Sequence, residues 1–255
     1  MNPETAVLRV RGLHKAWGSL VVTDNVFFDL APGARHALIG PNGAGKTTFI
    51  NLVTGELAAD KGEVHLHGEN ISRLSGSERV RRGLVRTFQI NQLFLSLSVI
   101  DNVALAIAER EGTAWNMFKP SGRYGKHYEE ALALLTDLQL SEGASRPVKE
   151  LAYGEQRLLE IVIALALKPQ VLLLDEPAAG VPSSESSFIM QALERLPKDM
   201  AIMLIEHDME LVFRFAARIT VLERGRVVCE GTPAEVANDA HVRAIYFGEA
   251  SHAHS

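Results

Sequence analysis

Residues 40–48, Gly40-Pro41-Asn42-Gly43-Ala44-Gly45-Lys46-Thr47-Thr48, constrain this chain more than any other stretch. An apolar run, Ala37-Leu38-Ile39, precedes them, and a helix-like run, Phe49-Ile50-Asn51-Leu52-Val53, follows. Strand, glycine-rich loop, helix is the context that the GxxxxGK[ST] phosphate-binding motif demands. The glycines let backbone N–H groups turn toward phosphate oxygens, and the helix presents its positive end to them. Asn42, Gly43, Ala44, Gly45, Lys46, Thr47 and Thr48 then form the cradle. Lys46 reaches the β- and γ-phosphates and the Thr47 hydroxyl is a ligand for Mg²⁺. The competing reading, an ordinary glycine-rich turn, is disfavoured by the flanking pattern.

A second stretch supplies the other half of a nucleotide site. Val171-Leu172-Leu173-Leu174 is a short, wholly apolar run that ends at Asp175-Glu176-Pro177. Buried parallel strands read this way and collect chemistry at their carboxyl ends. An Asp in that position holds Mg²⁺, directly or through water, and Glu176 is placed to polarise an attacking water as general base. Two acids ending a strand at the surface is the bland alternative. Ala201–Ile205 is a similar run, ending at Glu206-His207.

With 255 residues, 47% of them hydrophobic, the chain can bury a real core in one or two domains. A net charge of −5 and a pI near 6.0 argue against a dedicated nucleic-acid binder. The single cysteine, Cys229, excludes an internal disulfide and a Cys-based metal site, and reads as a small buried residue. Met1–Ala6 lacks the basic start and apolar stretch of a secretory leader. No run approaches the ~18 apolar residues of a membrane span, since Glu160 interrupts Leu158–Leu167. A soluble protein is expected, with membrane association only through a partner.

Along the chain, Val7–Val10 and Leu20–Leu30 read as strands joined by a loop at His14–Gly18. Ala31–Ala34 is a turn. Asp60-Lys61-Gly62 reads as another, followed by a strand over Glu63–His67 that puts His65 and His67 on one face. No third metal ligand lies near those histidines, so a solvated face is preferred. Arg79, Arg81, Arg82 and Arg86 read as solvated surface, with a docking face as the alternative. Apolar spacing predicts helices in Val103–Ile107 and Ala131–Leu138, interrupted by an insert at Gly112–Gly125. Ile219–Leu222 and Arg226–Cys229 around Arg224-Gly225 predict a hairpin, and Pro233–Asn238 a short helix. A disordered tail is expected over 251–255.

Taken in order, the phosphate loop, Leu151-Ala152-Tyr153-Gly154-Glu155-Gln156, Leu174-Asp175-Glu176-Pro177 and Glu206-His207-Asp208 resemble ATP-binding cassette (ABC) ATPases over nearly the whole chain. The resemblance is strongest to the cassettes of branched-chain amino acid importers. Arg86-Thr87-Phe88-Gln89, the Leu-Ala-Tyr-Gly signature, Asp175–Gly180 and the ending Ala244–Ala250 carry it. The cassette of the lipopolysaccharide-export machine has a similar ending and is the competing relative. A non-transport ABC protein lacks its usual second cassette or coiled-coil insert here. A P-loop kinase or GTPase leaves Gly154 and His207 unexplained.

The resemblance implies an α/β P-loop NTPase of the ABC-ATPase fold, with a mostly parallel core sheet, an antiparallel β subdomain and a helical subdomain. Residues 1–250 would form one cassette domain, 1–98 and 152–250 being its catalytic core and 99–151 its helical subdomain. It implies Trp17 as the aromatic that stacks on adenine, against a core Trp as alternative. Gln89 would contact Mg²⁺ or the attacking water, and His207 would touch the γ-phosphate. Ala152, Tyr153, Gly154 and Glu155 would face the nucleotide of a second cassette. ATP and Mg²⁺ are the implied cofactors. Transmembrane permease subunits are the implied partners, with a solute-binding protein acting indirectly, at the cytoplasmic face of a bacterial inner membrane. Gln89 and Asn91–Val99 would form the docking surface.

The sequence departs from the family pattern where it faces the partner. Ala152 replaces the usual signature serine, Leu158 and Ile163 stand where arginine is common, and Pro182 replaces an Asp or Asn. These departures are expected on surfaces offered to the opposite nucleotide. A chain with its own competent site that weakens the site it completes is one reading, and subgroup drift is the other.

Overall fold

Alternating apolar residues open the chain as a long hairpin. β1 (Leu8–Trp17) pairs antiparallel with β2 (Leu20–Leu30), in register from Leu8↔Leu30 to Trp17↔Leu20. The computed structural model describes residues 6–87, 93–113 and 123–247. The segment His14–Trp17, expected as a loop, is strand. Register shifts between Val10 and Ala16 break the alternation that would have revealed it, and the turn is confined to Gly18-Ser19.

β3 (Arg35–Ile39) leads into the phosphate loop, and α1 (Lys46–Thr54) leads out of it. β4 (Lys61–Leu66) and β5 (Glu69–Asn70) follow, and then α2 (Gly76–Arg81). Strand β4 begins at Lys61 and ends at Leu66, one residue short of the expected end. His67 turns away with φ 49°, so the two histidines do not share a strand face, and His65 instead contacts Glu63 at 2.9 Å.

β6 (Leu84–Arg86), α3 (Val99–Arg110), α4 (Arg123–Asp137), α5 (Tyr153–Ala166) and β7 (Val171–Asp175) come next, followed by α6 (Ser183–Arg195). The chain ends in β8 (Ala201–Ile205), α7 (Met209–Phe215), β9 (Arg218–Glu223), β10 (Arg226–Gly231), α8 (Pro233–Asn238) and α9 (Ala240–Phe247). The β9–β10 hairpin turns at Arg224 and Gly225, whose φ values of 49° and 78° have the signs of a type I′ turn. Thr232 caps α8 through the Glu235 N–H, and the Glu235 carboxylate answers to the Thr232 N–H at 2.7 Å.

The chain divides into two units, Met1–Arg79 with Lys198–Ser255, and Val80–Pro197. In the first, β2-β1-β4-β5 form an antiparallel sheet, while β3 pairs parallel with both β8 and β9. Phe28 and Phe49 meet edge to face at 6.0 Å, packing α1 into this core. Arg79, expected at the surface, is buried at 3% exposure. Its guanidinium donates to the carbonyls of Leu52 and Val53 in the last turn of α1, and to those of Ser72 and Leu74. It thereby satisfies acceptors that a helix end leaves open. Arg81 and Arg82 are exposed as expected.

In the second unit β6 and β7 run parallel, and α3, α4 and α5 are tied by Arg110. Arg110 Nη1 reaches Glu130 of α4 at 2.8 Å and the Ala166 carbonyl of α5 at 2.7 Å. Hydrogen bonding from Arg110 holds the Glu130 carboxyl down at about 2. Ser98 caps α3 by accepting from the Asp101 N–H at 3.1 Å.

Candidate nucleotide-binding site

The phosphate loop sits between β3 and α1 in the first unit. Asn42, Gly43 and Thr47 are exposed, and Lys46 and Thr48 half-buried. Gly45, the residue before α1, has φ 100°, and a Cβ there would lie 2.5 Å from the Val22 carbonyl. Only glycine satisfies both conditions. The Lys46 ammonium folds back onto its own loop, donating to the carbonyls of Gly40 at 2.5 Å and Pro41 at 3.2 Å. Its charge is therefore already positioned over the cradle.

The hairpin β9–β10 braces this loop. Gly225 donates its N–H to the Ala44 carbonyl at 2.8 Å, and accepts from the Asp24 N–H at 2.8 Å. This contribution was missed in the sequence, where Arg224-Gly225 signalled only a turn. Trp17, at the tip of the first hairpin, is 52% exposed and so is not a core residue. His207 follows β8 with its side chain 64% exposed and its Nδ1 at 3.7 Å from the buried Glu206 carboxylate. Asp208 caps α7, accepting from the N–H groups of Glu210 and Leu211. The Glu206-His207-Asp208 triplet thus divides into a buried anchor, an exposed imidazole and a helix cap.

Asp175 and Glu176 lie in the second unit. Asp175 ends β7 with its side chain 2% exposed. Its Oδ2 takes a hydrogen bond from Arg86 Nη2 at 2.5 Å, and its N–H is 3.3 Å from the Thr87 hydroxyl. Arg86, expected on the surface, is thus a buried counter-ion to the carboxylate assigned to the metal. The spacing of basic residues carried no hint of this, because the pairing crosses from β6 to β7. Glu176 is half-buried and has φ 48°, a left-handed backbone that few side chains adopt. The Asp175 carboxylate and the Thr47 hydroxyl are hard oxygen donors of the kind Mg²⁺ takes. Gln89 lies outside the described residues.

The signature also lies in the second unit, where Ala152 precedes α5 in extended conformation (φ −60°, ψ 157°). Alanine offers no side-chain cap, while the Glu155 carboxylate accepts from the Ala152 N–H at 2.8 Å. The first-turn N–H groups are therefore presented without a capping oxygen, an anion-binding arrangement. Gly154 is buried and Tyr153 is 38% exposed. Leu158, expected on a surface offered to a partner, is only 8% exposed. It lines a cavity of about 370 Å³ with Leu138, Leu140, Gly154 and Phe188. One helical turn beyond Gly154, it shares this cavity with the signature residues Ala152 and Glu155 and with Phe188 of α6. Pro182 precedes α6 and supplies no side-chain hydrogen bond to it.

Comparison with known proteins agrees with this architecture. The family described as ABC transporter matches residues 23–179, and that of the branched-chain amino acid ATP-binding cassette transporters matches 226–252. The chain belongs to the ATP-binding cassettes of ABC transporters.

It is 37% identical to the high-affinity branched-chain amino acid transport ATP-binding protein LivG of Escherichia coli K12, over 96% of this chain and 98% of that one. It is 36% identical to BraF of Pseudomonas aeruginosa, over 96% and 98%. A crystal structure of a nucleotide-free ATP-binding cassette from an ABC transporter superposes with a TM-score of 0.83 at 29% identity, covering 96% of this chain and 100% of that one. The ADP conformation of such a cassette superposes with 0.84 at 31% identity and the same coverage. The cassette has the ABC-ATPase fold, with parallel strands behind the phosphate loop and an antiparallel sheet beside them. It is the ATP-hydrolysing, energy-coupling part of a transporter. Among the described residues, no helix is long and apolar enough to cross a membrane.

Proposed function

We propose that this cassette drives uptake of branched-chain or related amino acids, working against permease subunits at the cytoplasmic face of a bacterial inner membrane. The observation that carries the substrate class is the match of residues 226–252 to the branched-chain amino acid cassettes. A lipid or lipopolysaccharide exporter leaves that match, and the full-length similarity to LivG and BraF, without a reason. A second cassette is the proposed partner across the nucleotide, and a periplasmic solute-binding protein acts through the permease. Phe94, Leu95 and Leu97 are 60%, 48% and 36% exposed in the segment assigned to docking, an apolar patch that suits a protein partner. The cassette is taken as one domain over 1–250, with 99–151 as its helical subdomain.

In this reading Trp17 stacks on adenine and the loop Asn42–Thr48 holds the phosphates. Lys46 exchanges its loop carbonyls for phosphoryl oxygens, and the charge that develops on the γ-phosphoryl falls to it and to His207. Glu176 takes the proton of the attacking water. Thr47, Gln89 and Asp175 would hold Mg²⁺, which when bound would supply positive charge to the phosphates. The Ala152–Glu155 end of α5 meets the γ-phosphate of the opposite cassette through backbone N–H groups.

The test is ATP turnover and amino acid uptake by the transporter reconstituted in proteoliposomes. Glu176→Gln is expected to keep ATP binding and to lower turnover about 10²–10⁴-fold, whereas Lys46→Ala loses ATP binding. Wild-type turnover in Glu176→Gln removes Glu176 as the base. ATP-dependent movement of lipid, with no accumulation of leucine, isoleucine or valine, refutes the substrate class.

A further inference from the structure

Tyr153, at the start of α5, stands between its own helix and the turn that follows β7. One turn into α5 the buried Arg157 donates from Nη2 to the Tyr153 hydroxyl at 2.6 Å, and its guanidinium lies 5.0 Å from the ring centroid. Nη1 of the same residue pairs with Glu160 at 2.9 Å, with the two side chains 6% and 11% exposed. The phenol is therefore gripped on one side by a buried ion pair and a cation–π contact. Its other edge meets Gly180. A Cβ on Gly180 would lie 3.2 Å from the phenol oxygen and from Cε1, and Gly180 has φ 75°. Position 180 therefore resists a side chain both in space and in backbone conformation.

Gly180 closes the turn that begins at Glu176. The Ala179 N–H donates to the Glu176 carbonyl at 3.0 Å, and the Val181 N–H to the Ala178 carbonyl at 3.1 Å. Glu176 itself is held at φ 48°. A non-glycine residue stays in that conformation only where its surroundings enforce it. Two hydrogen bonds close the turn that begins at Glu176, and the Tyr153 side chain packs against its last residue, Gly180.

We propose that Tyr153 is a positioning residue for Glu176, a strut that carries the position of the α5 N-terminus to the backbone of the general base. The inference rests on the reading of Glu176 as base and of the α5 N-terminus as the face turned to the opposite nucleotide. Filling that opposite site would draw on the first turn of α5. The strut then converts the pull into a shift of the Glu176–Gly180 turn, so that each cassette senses the nucleotide in the other site before its own water is activated. The phenol does this by shape and by accepting from Arg157.

The experiment measures ATP affinity, KM and kcat in the assembled transporter carrying Tyr153→Phe, Tyr153→Ala, Gly180→Ala, or Tyr153→Ala with Gly180→Ala. Tyr153→Ala is expected to lower kcat about tenfold or more, since small misplacements of a catalytic group have large effects, with ATP affinity at the phosphate loop within about twofold of wild type. Tyr153→Phe, which keeps the ring and loses the oxygen, falls between the two. Gly180→Ala lowers kcat in the same way. The double variant is no worse than the weaker single one, because the two changes act through one contact.

Additive losses, or wild-type kcat in Tyr153→Ala beside an inactive Glu176→Gln, overturn the strut alone. Normal turnover in Glu176→Gln overturns the reading of the base and the strut with it. Should Tyr153→Ala fail to fold, Gly180→Ala decides: a raised KM at unchanged kcat overturns the proposal, and a lowered kcat at unchanged KM supports it.

Discussion

Replacing Arg86 with methionine would leave the Asp175 carboxylate buried without its counter-ion. The pair is close, 2.5 Å between Nη2 and Oδ2, and its side chains are only 8% and 2% exposed. At an effective dielectric of about 20 the attraction at that distance is about 6–7 kcal/mol. Desolvation of the two charges cancels most of this in the intact pair. The cancellation fails when one partner is removed, because the remaining charge keeps its desolvation cost and loses the attraction. Arg86→Met is therefore expected to lose about 3–5 kcal/mol, a large part of the 5–15 kcal/mol that typically holds a domain together.

Urea unfolding followed by circular dichroism measures the loss. The double variant Arg86→Met/Asp175→Asn separates the broken pair from anything else Arg86 touches. It should regain at least half of the lost stability, since no charge is then left buried. A single-variant loss below about 1 kcal/mol, or a double variant no more stable than the single one, would refute the reasoning from buried charge.

Two further predictions concern the first unit. Arg79→Met removes the donors that satisfy the Leu52 and Val53 carbonyls at the end of α1, so a loss of roughly 2–4 kcal/mol in urea unfolding is expected. A loss within 0.5 kcal/mol, the range of about ±0.5 usual for exposed sites, would mean that the capping contributes little. Burial holds the His36 imidazole, 2.8 Å from the Thr220 hydroxyl, down at about 4 from its ordinary 6.5. The unfolded chain takes up that proton first. Above 6.5 the ring is neutral in both states and exerts no effect. As pH falls from 6.5 to about 4 the folded state should lose about 3 kcal/mol. His36→Gln, which has no such proton to take up, should show a shallower decline over the same interval. Equal slopes for the two proteins would exclude His36 as the source.

Much of the fold was legible because local chemistry repeats the tertiary instruction. Val171–Leu174 and Ala201–Ile205 are wholly apolar because both faces are covered, and all five residues of β7 and of β8 are buried. Pro233 at the first position of α8, with Thr232 and Glu235 around it, marks that helix in one short window. The strand through His14–Trp17 was not legible, since register shifts disturb the period on which strand reading depends. Nor was α9, whose residues had signalled kinship by their spelling but not helix by their spacing.

By itself the sequence determined the chemistry on offer: a glycine loop before Lys46 and Thr47, acids after an apolar strand, an imidazole at His207, an alanine in place of the signature serine at Ala152. Each follows from residue type and short-range spacing, the scale over which backbone conformation responds to its neighbours. Only the tertiary structure decided which charges stand alone and which are spoken for. Arg79 and Arg86 belong to one basic stretch, yet one caps α1 and the other neutralises Asp175 from the neighbouring strand. Tyr153 and Gly180 are far apart in the chain and meet because α5 and the turn after β7 pack together. Contacts between residues distant in sequence depend on how the elements pack, and a linear pattern carries no record of that packing.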